Sequence, residues 1–472
     1  MSAKGAAVKE KGDLPSGWKL MRLGDLAKTS SGGTPRRDKP QYYGGTIPWV
    51  KSGELGDRVI FETSEALTEA GLASSNAKIF PKGTLCIALY GATVGKLGIL
   101  GIDAATNQAV CAVFPPSEID TRFLYRFFEG KRRELIEQGK GGAQSNISQG
   151  IIRDTIIPVP PLDEQRQVVA EIEKQFTRLE VGVAALRRVQ ANLKRYRAAV
   201  LKAACEGRLV PTEAELARTG KGNGGFESGD ALLTRILTER HFNWNGRGKC
   251  NVAAMPDATN PPKLPSGWTW ASVEQLGDVK LGRQRSPKNV SKNYPTKYIR
   301  AANITERGID VSDVLEMEFS PAERERFVLK DGDIVLSEAS GSPSQVGKPA
   351  IWRDELPLCC FQNTVIRLRP VIVESKYVLV VFQHFYANSV FATVAGGVGI
   401  NHLGAEKFSA IQFPLPPLAE QTRIVAEVER RLSVMEELES MVSANLQRAA
   451  GLRQSILHKA FSGQLICAAV RP

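Results

Sequence analysis

The sequence predicts an α+β fold written twice: two globular domains separated by two long helices, related as a pseudo-twofold internal repeat. Three observations predict it. Long stretches of the chain recur at a nearly constant offset, two segments carry sustained seven-residue apolar periods, and the regions between them mix short β-rich runs with short helices.

The recurrence is explicit. Leu14-Pro15-Ser16-Gly17-Trp18 returns as Leu264-Pro265-Ser266-Gly267-Trp268. PVPPLDEQRQVVAEIE at 158–173 returns as PLPPLAEQTRIVAEVE at 414–429 with ten identities in sixteen, and RAAVLKAACEGRLV at 197–210 aligns with RQSILHKAFSGQLI at 453–466, both at an offset of 256. Between these anchors only islands match, such as KGTLCIALYGATVGK at 82–96 with DGDIVLSEASGSPSQVGK at 331–348, and Asn107-Gln108 with Gln362-Asn363. A period this long is a duplicated module, not a solenoid of stacked 20–50-residue units. The frames match and the middles differ, so the halves share a scaffold but not a target.

The repeat divides the chain into an N-terminus at 1–13 expected to be disordered and a first globular domain at 14–160. A long helix at 161–206 and a linker with a short helix at 207–263 follow. The second domain occupies 264–416, the second long helix 417–463 and a tail 464–472.

Each PPLxEQ segment reads as a helix start, because proline is tolerated in the first turn and Glu164 or Glu420 sits where the helix dipole favours negative charge. Ile172, Leu179, Leu186, Leu193 and Val200 then repeat every seven residues, as do Val428, Met435, Val442, Ala449 and Ile456. A seam this narrow, flanked by Arg187, Arg188, Lys194, Glu436, Glu437 and Glu439, predicts a coiled coil rather than a broad core-facing stripe. Gly207 and Gly463 are placed to cap the helix ends. A helix from Glu164 to Ala204 would span about 60 Å at ~1.5 Å per residue, enough to act as a ruler along a duplex whose half-sites lie roughly 34 Å apart per turn. The linker is rich in Gly, Asn and Pro (GKGNGG at 220–225, TNPPK at 259–263), with a short helix expected at Ala231 to Arg240.

Within the domains, β-rich runs stand at Thr84 to Leu89, Asp333 to Ser337 and Thr364 to Leu368, and a helix at Arg122 to Glu137. Near the start of each domain lies a glycine-containing loop with clustered cations and aromatics. The first, at 30–50, holds Arg36, Arg37, Lys39, Tyr42, Tyr43 and Trp49; the second, at 282–304, holds Arg283, Arg285, Lys288, Tyr298, Arg300 and Asn303. Such side chains suit both phosphate contacts and base-edge hydrogen bonds. A net charge of +12, from 62 Lys and Arg against 50 Asp and Glu, is consistent with a polyanionic partner.

Other classes find no support in the residues. No apolar run approaches the roughly 20 residues of a membrane span, and the first twenty residues carry no secretory signal pattern. Seven cysteines without CxxC spacing neither staple the chain nor bind zinc, as expected of reduced thiols in the cytoplasm. Gly91 to Leu97 and Gly341 to Pro349 resemble a phosphate-binding loop but have the wrong spacing and lack the Ser or Thr after the Lys, so they are expected to be matching turns of the repeat. Asn260-Pro261-Pro262-Lys263 lacks the aromatic ring that stacks on an extruded base. Four histidines, His241, His384, His402 and His458, show no metal or triad spacing. Catalytic, cofactor-binding and metal-binding residues are therefore expected to be absent. Three classes stay open: a DNA-reading protein, a self-contained DNA-modifying enzyme, and a coiled-coil scaffold that binds only protein.

The LPSGW segments, GGTPRRDKPQYYGGTIPWV, YIRAANI and the two PxPPLxEQ helices ending in LKAACEGRLV and LHKAFSGQLI together resemble the specificity subunits of type I restriction–modification enzymes. The resemblance covers the chain apart from the first dozen residues and the linker. It implies that each globular domain is a target-recognition domain reading one half of a split sequence in double-stranded DNA. It implies that the helices pair antiparallel and set the unread spacer. Two methyltransferase (modification) subunits would dock on the chain and carry S-adenosylmethionine; a restriction subunit that translocates on DNA with ATP and Mg would join where the system has one. TEAELAR at 212–218 is similar to short spacer-lengthening repeats of some members but occurs once here.

Overall fold

The computed structural model describes residues 14–139, 146–220, 226–243, 262–284, 293–340, 342, 345–395 and 401–467. The N-terminal segment 1–13, Arg285, Lys288, Asn260 and Pro261 lie outside the described residues.

The chain folds as two compact units, Met1–Arg187 with Val442–Pro472, and Arg188–Met441. Each long helix is continuous over 44 residues, Leu162–Cys205 and Leu418–Phe461, and contributes one stretch to each unit. A unit therefore combines one globular region, the first stretch of the helix that follows it and the last stretch of the other helix. The sequence, read linearly, attaches each helix only to the domain before it.

In the first unit, Lys19–Arg22 pairs antiparallel with Ile156–Val159. A five-stranded sheet runs in the order Lys28–Ser31, Val110–Phe114, Leu85–Ala88, Leu97–Leu100 and Arg58–Ile60; a four-stranded sheet runs Glu65–Leu67, Tyr43–Val50, Ala104–Thr106 and Ile79–Phe80. Helix Thr121–Gln138 starts at Asp120, whose carboxylate accepts from the N–H groups of Arg122 (2.8 Å) and Phe123 (3.1 Å), a regular N-cap. The helix buries Phe123, Leu124, Phe127 and Phe128 against Leu85, Ile87 and Val113 from the sheet, Val168 and Ile172 from the first long helix, and Ile456, Leu457 and Ala460 from the second.

The second unit repeats this skeleton. Thr269–Ser272 pairs with Gln412–Leu415. A four-stranded sheet runs Gly277–Leu281, Val365–Pro370, Ile334–Ser337 and Pro349–Ile351; a three-stranded sheet runs Leu315–Glu318, Pro295–Ile299 and Cys359–Phe361. Helix Ser375–Ala387 packs Tyr377, Val381 and Phe382 into a core shared with Val200, Leu201 and Ala204 of the first long helix and Ile424 and Val428 of the second.

The repeated motifs turn out to be the joints of this skeleton. Trp18 Nε1 donates to Glu164 at 2.7 Å, and Trp268 Nε1 to Glu420 at 2.9 Å. Gln165 donates to the Pro160 carbonyl (2.9 Å) and accepts from the Asp120 N–H (2.8 Å); Gln421 likewise donates to Pro416 (2.9 Å) and accepts from the Glu374 N–H (3.0 Å). Gln421 is fully buried, so removing its amide would leave two backbone groups without partners, each costing about 1–3 kcal/mol. Gly207 (φ +65°) and Gly463 (φ +76°) end the helices in the left-handed region that favours glycine. A Cβ on Gly207 would lie 2.5 Å from Pro265, and one on Gly463 2.2 Å from Pro15. LPSGW thus rests on both a helix start and a helix end.

The helices run antiparallel within each unit. In the first, Arg453 lies 4.1 Å over the Phe176 ring and bonds Glu180 (3.4 Å), while Leu186 shares a groove with Asn445 and Ala449. In the second, Arg431 donates to the Tyr196 hydroxyl at 3.5 Å. Of the heptad seam, Ile172, Leu193, Val200, Val428, Met435, Val442 and Ile456 are buried, whereas Leu179, Leu186 and Ala449 are half-buried. The seam is thinnest there because Gly182, Ala449 and Gly451 supply too little side chain to close it.

The linker contains the expected helix, as Gly229–Phe242, and a second one, Glu213–Arg218, started by a Thr212–Glu215 capping box. This shorter helix seats on the start of the second long helix: the Glu213 N–H donates to Glu420 at 3.0 Å and Arg423 pairs with Glu213. Glu420 sits among these groups with its carboxyl raised above the usual range by burial. In the segments resembling a phosphate loop the described glycines sit at turns: Gly95 and Gly347 both have positive φ, and their N–H groups donate to the Ala88 and Ser337 carbonyls, each at 2.8 Å. Burial pushes the Cys111 thiol up to about 12, so it stays protonated and unreactive at neutral pH.

Candidate nucleic-acid interface

The opening loop of the first unit follows strand Lys28–Ser31 and is wedged in place by its glycines. A Cβ on Gly32 would lie 1.9 Å from the Thr106 carbonyl, and one on Gly33 2.4 Å from the Ala77 nitrogen, so no larger residue fits. The Trp49 indole N–H donates to the Gly33 carbonyl (3.1 Å) and the Tyr43 hydroxyl to the Pro35 carbonyl (2.6 Å). Thr34 bonds Gln108, which explains why an Asn-Gln pair marks the repeat: it braces the loop. Held this way, the loop presents Arg36, Arg37 and Lys39 as exposed side chains, with Tyr42 and Tyr43 half-buried beneath.

Arg37 is held by two aromatic rings and a carboxylate. Its guanidinium lies 4.6 Å from the Tyr43 ring centroid and 5.0 Å from that of Trp49, and it donates to Glu65 at 2.6 Å. Lys51 donates to the other Glu65 oxygen, also at 2.6 Å. Hydrogen bonds from Arg37 and then Lys51 hold the Glu65 carboxyl below its ordinary value. Arg36 folds onto Asp38 through two bonds of 3.1 and 2.7 Å. The cluster therefore carries four cations, Arg36, Arg37, Lys39 and Lys51, against three carboxylates, Asp38, Glu65 and Glu54, the last accepting from the Lys51 N–H at 2.8 Å. An oriented arginine on an aromatic platform in a net positive patch suits phosphate or guanine. Glu65 was not singled out in the sequence because it reaches the loop only through the sheet, opposite Trp49, and Lys51 lies one residue past the stretch where the basic and aromatic residues cluster.

The second unit repeats the wedge, and among the described residues of its loop Arg283, Arg300 and Asn303 are engaged within the fold. A Cβ on Gly282 would lie 2.2 Å from the Gln362 carbonyl, and the Asn363 N–H donates to the Arg283 carbonyl at 3.0 Å. Arg283 itself turns inward: its side chain is 11% exposed, pairs with Glu323 at 2.7 Å and lies 5.1 Å from the Phe319 centroid. Asn303 is 3% exposed and fully engaged, donating to the carbonyls of Asp310 (2.9 Å) and Asp313 (3.0 Å) and accepting from the Arg300 N–H (2.9 Å). Arg300 pairs with Asp313. Arg283 and Asn303, expected at an interface, thus hold the loop together from inside; distant carboxylates and carbonyls capture side chains that the sequence alone presents as available. Tyr298 is likewise buried.

Comparison with known proteins supplies the family context. A family model described as the type I restriction modification DNA specificity domain matches twice, at residues 15–183 and 265–440. The chain is 24% identical over 465 residues to the type I restriction enzyme EcoDI specificity subunit of Escherichia coli, covering 96% of this chain and 90% of that one. It is 23% identical over 473 residues, with the same coverage, to the EcoKI specificity subunit of Escherichia coli strain K12. Among solved structures, it superposes on a chain from work on complex assembly and conformational transition of the type I R-M system with a TM-score of 0.61 at 20% identity, covering 96% of this chain and 99% of that one. It superposes on the HsdS subunit of Thermoanaerobacter tengcongensis with a TM-score of 0.51 at 21% identity and the same coverage. These last two likenesses concern the fold.

Proposed function

Because the chain belongs to the family of type I restriction modification DNA specificity domains, we propose that it is a specificity subunit in which each unit reads one half of a split target in double-stranded DNA, while the paired helices set the unread spacer. The observation that carries this reading is the contrast between frame and loop. Both units brace an opening loop with the same glycine wedge and the same Asn/Gln segment, yet one displays Arg36, Arg37 and Lys39 and the other turns Arg283 inward. One scaffold carrying unlike side chains suits two unlike half-sites.

The chain is read as non-catalytic, with modification carried out by two methyltransferase subunits that dock on it and hold S-adenosylmethionine, and with ATP and Mg on a restriction subunit where one is present. Arg36, Arg37, Lys39, Tyr42 and Tyr43 are the contact candidates of the first unit. In the second unit the role falls to residues other than Arg283 and Asn303. No helix among the described residues is long and apolar enough to cross a membrane, and the chain is read as acting on DNA in the cytoplasm.

The test is to co-express the chain with a type I methyltransferase subunit and map methylated adenines genome-wide. A motif of two short half-sites around a fixed unread gap is expected; one contiguous motif, or methylation unchanged from cells lacking the chain, overturns the reading.

A further inference from the structure

Beyond the opening loop, both units share a second surface feature: a small clasp between a hairpin turn and the segment after the domain helix. In the first unit the Ile147 N–H donates to the Leu89 carbonyl at 2.7 Å, and Tyr90 bridges Asn146 antiparallel. In the second, the Leu403 N–H donates to the Glu338 carbonyl at 2.9 Å, and Ala339–Ser340 pairs with Asn401–His402. The backbone joint is the same. The side chains are not: exposed Asn146 in one unit corresponds to exposed His402, next to half-buried Asn401, in the other.

His402 is positioned from below. Its Nδ1 lies 3.2 and 3.1 Å from the two carboxylate oxygens of Glu338, whose side chain is 10% exposed against 55% for His402. A carboxylate can only accept, so Nδ1 donates, and Nε2 is left as the free hydrogen-bonding atom of the ring. Among the described residues His402 is the sole side-chain partner of this carboxylate. Bringing a carboxylate almost wholly inside is costly unless the bond it makes is of use. Here the buried group orients one exposed imidazole, and no group of acidic, Cys or His residues among those described gathers around it as metal ligands would.

We propose that the clasp is the second reading element of each unit, engaging base edges of duplex DNA through His402 and Asn401 in one unit and Asn146 in the other. This deepens the DNA-reading function proposed above and rests on it. Asn146, Asn401 and His402 carry short polar groups that can pair with base edges, and none is an Arg or Lys. Phosphate contacts that fix position favour Arg and Lys, whereas an Asn amide pairs with adenine N6 and N7, and an imidazole whose Nδ1 is held by a carboxylate turns its Nε2 toward a base edge. The frame is common to both units and the polar side chains at its tip differ, as readers of two different half-sites must.

The test uses the full chain assembled with a methyltransferase subunit and a random-sequence duplex library. His402→Ala is expected to lower discrimination at one base position of one half-site roughly ten- to a hundred-fold, leaving the other half-site and the melting temperature unchanged. Asn146→Ala should do the same in the opposite half-site. Glu338→Gln should loosen the same position as His402→Ala, since it acts only through the ring. Retention of the full wild-type motif by both His402→Ala and Asn146→Ala overturns the proposal, as does loss of both half-sites together with a fall in melting temperature, which would make the clasp structural. Failure of the wild-type assembly to enrich any sequence would instead overturn the DNA-reading function itself.

Discussion

Shortening both helices at the level where they face each other tests whether they act as a ruler. In the first unit the groove residues Leu179, Gly182, Val183 and Leu186 lie opposite Asn445, Arg448, Ala449 and Leu452, so residues 182–185 and 446–449 form a matched pair of four-residue segments. Removing both takes out about 6 Å, at ~1.5 Å per residue, which corresponds to roughly two base pairs at ~3.4 Å each. Four residues also turn each helix by roughly 400°, or ~40° beyond a full turn, close to one phase of the seam. The seam is already thin at this point, with Leu179, Leu186 and Ala449 only half-buried, so little packing is lost. Adenine methylation mapped in cells carrying the shortened chain and its methyltransferase should show unchanged half-sites separated by about two fewer base pairs. Deletion from one helix alone should abolish methylation by breaking the pairing. Altered half-site sequences, or an unchanged gap in a chain that folds, would refute the ruler.

Three further outcomes follow from the geometry. Arg37→Ala should weaken DNA binding and reduce the salt dependence by about one unit of slope if the guanidinium meets a phosphate, whereas Asn303→Ala should destabilise the second unit by about 2–4 kcal/mol in urea titrations, because three backbone groups lose buried partners; comparable stability of the two variants would contradict the burial described. Gly182 has open space around its Cβ position and sits mid-helix, so Gly182→Ala should stabilise by about 1 kcal/mol, while Gly463→Ala, at φ +76° and against Pro15, should destabilise by at least about 1 kcal/mol; calorimetry decides the sign of each. The folded-state value of Glu420 is raised by burial, so the native state holds its proton more tightly than the unfolded chain does. Stability it contributes is present at low pH and falls as pH rises from about 4.5 through that raised value, a slope that the difference between wild type and Glu420→Gln should isolate in urea midpoints measured from pH 4 to 7.

Much of the architecture was legible because it is written in short-range pattern. The seven-residue apolar period, the proline-led helix starts and the terminal glycines each act within a few residues of themselves, so Leu162–Cys205 and Leu418–Phe461 appear close to where the sequence places them. The duplication was legible for the same reason, since identical segments fold alike. The interface was harder to read. Arg37 and Arg283 occupy similar loops, but Glu65 leaves one at the surface and Glu323 draws the other inward, and each carboxylate arrives from a separate strand or helix.

The amino-acid sequence by itself determined that the chain is a duplicated α+β module with two amphipathic rods, because local periodicity and repetition need no knowledge of what lies across the fold. Only the tertiary structure decided what the repeated motifs do and which polar side chains remain available. Trp18 meets Glu164 across 146 positions and Trp268 meets Glu420 across 152. The fate of Asn303, Arg283 and His402 depends on desolvation and on partners that only folding brings within 3 Å or so, where a hydrogen bond forms or a charge is left facing water.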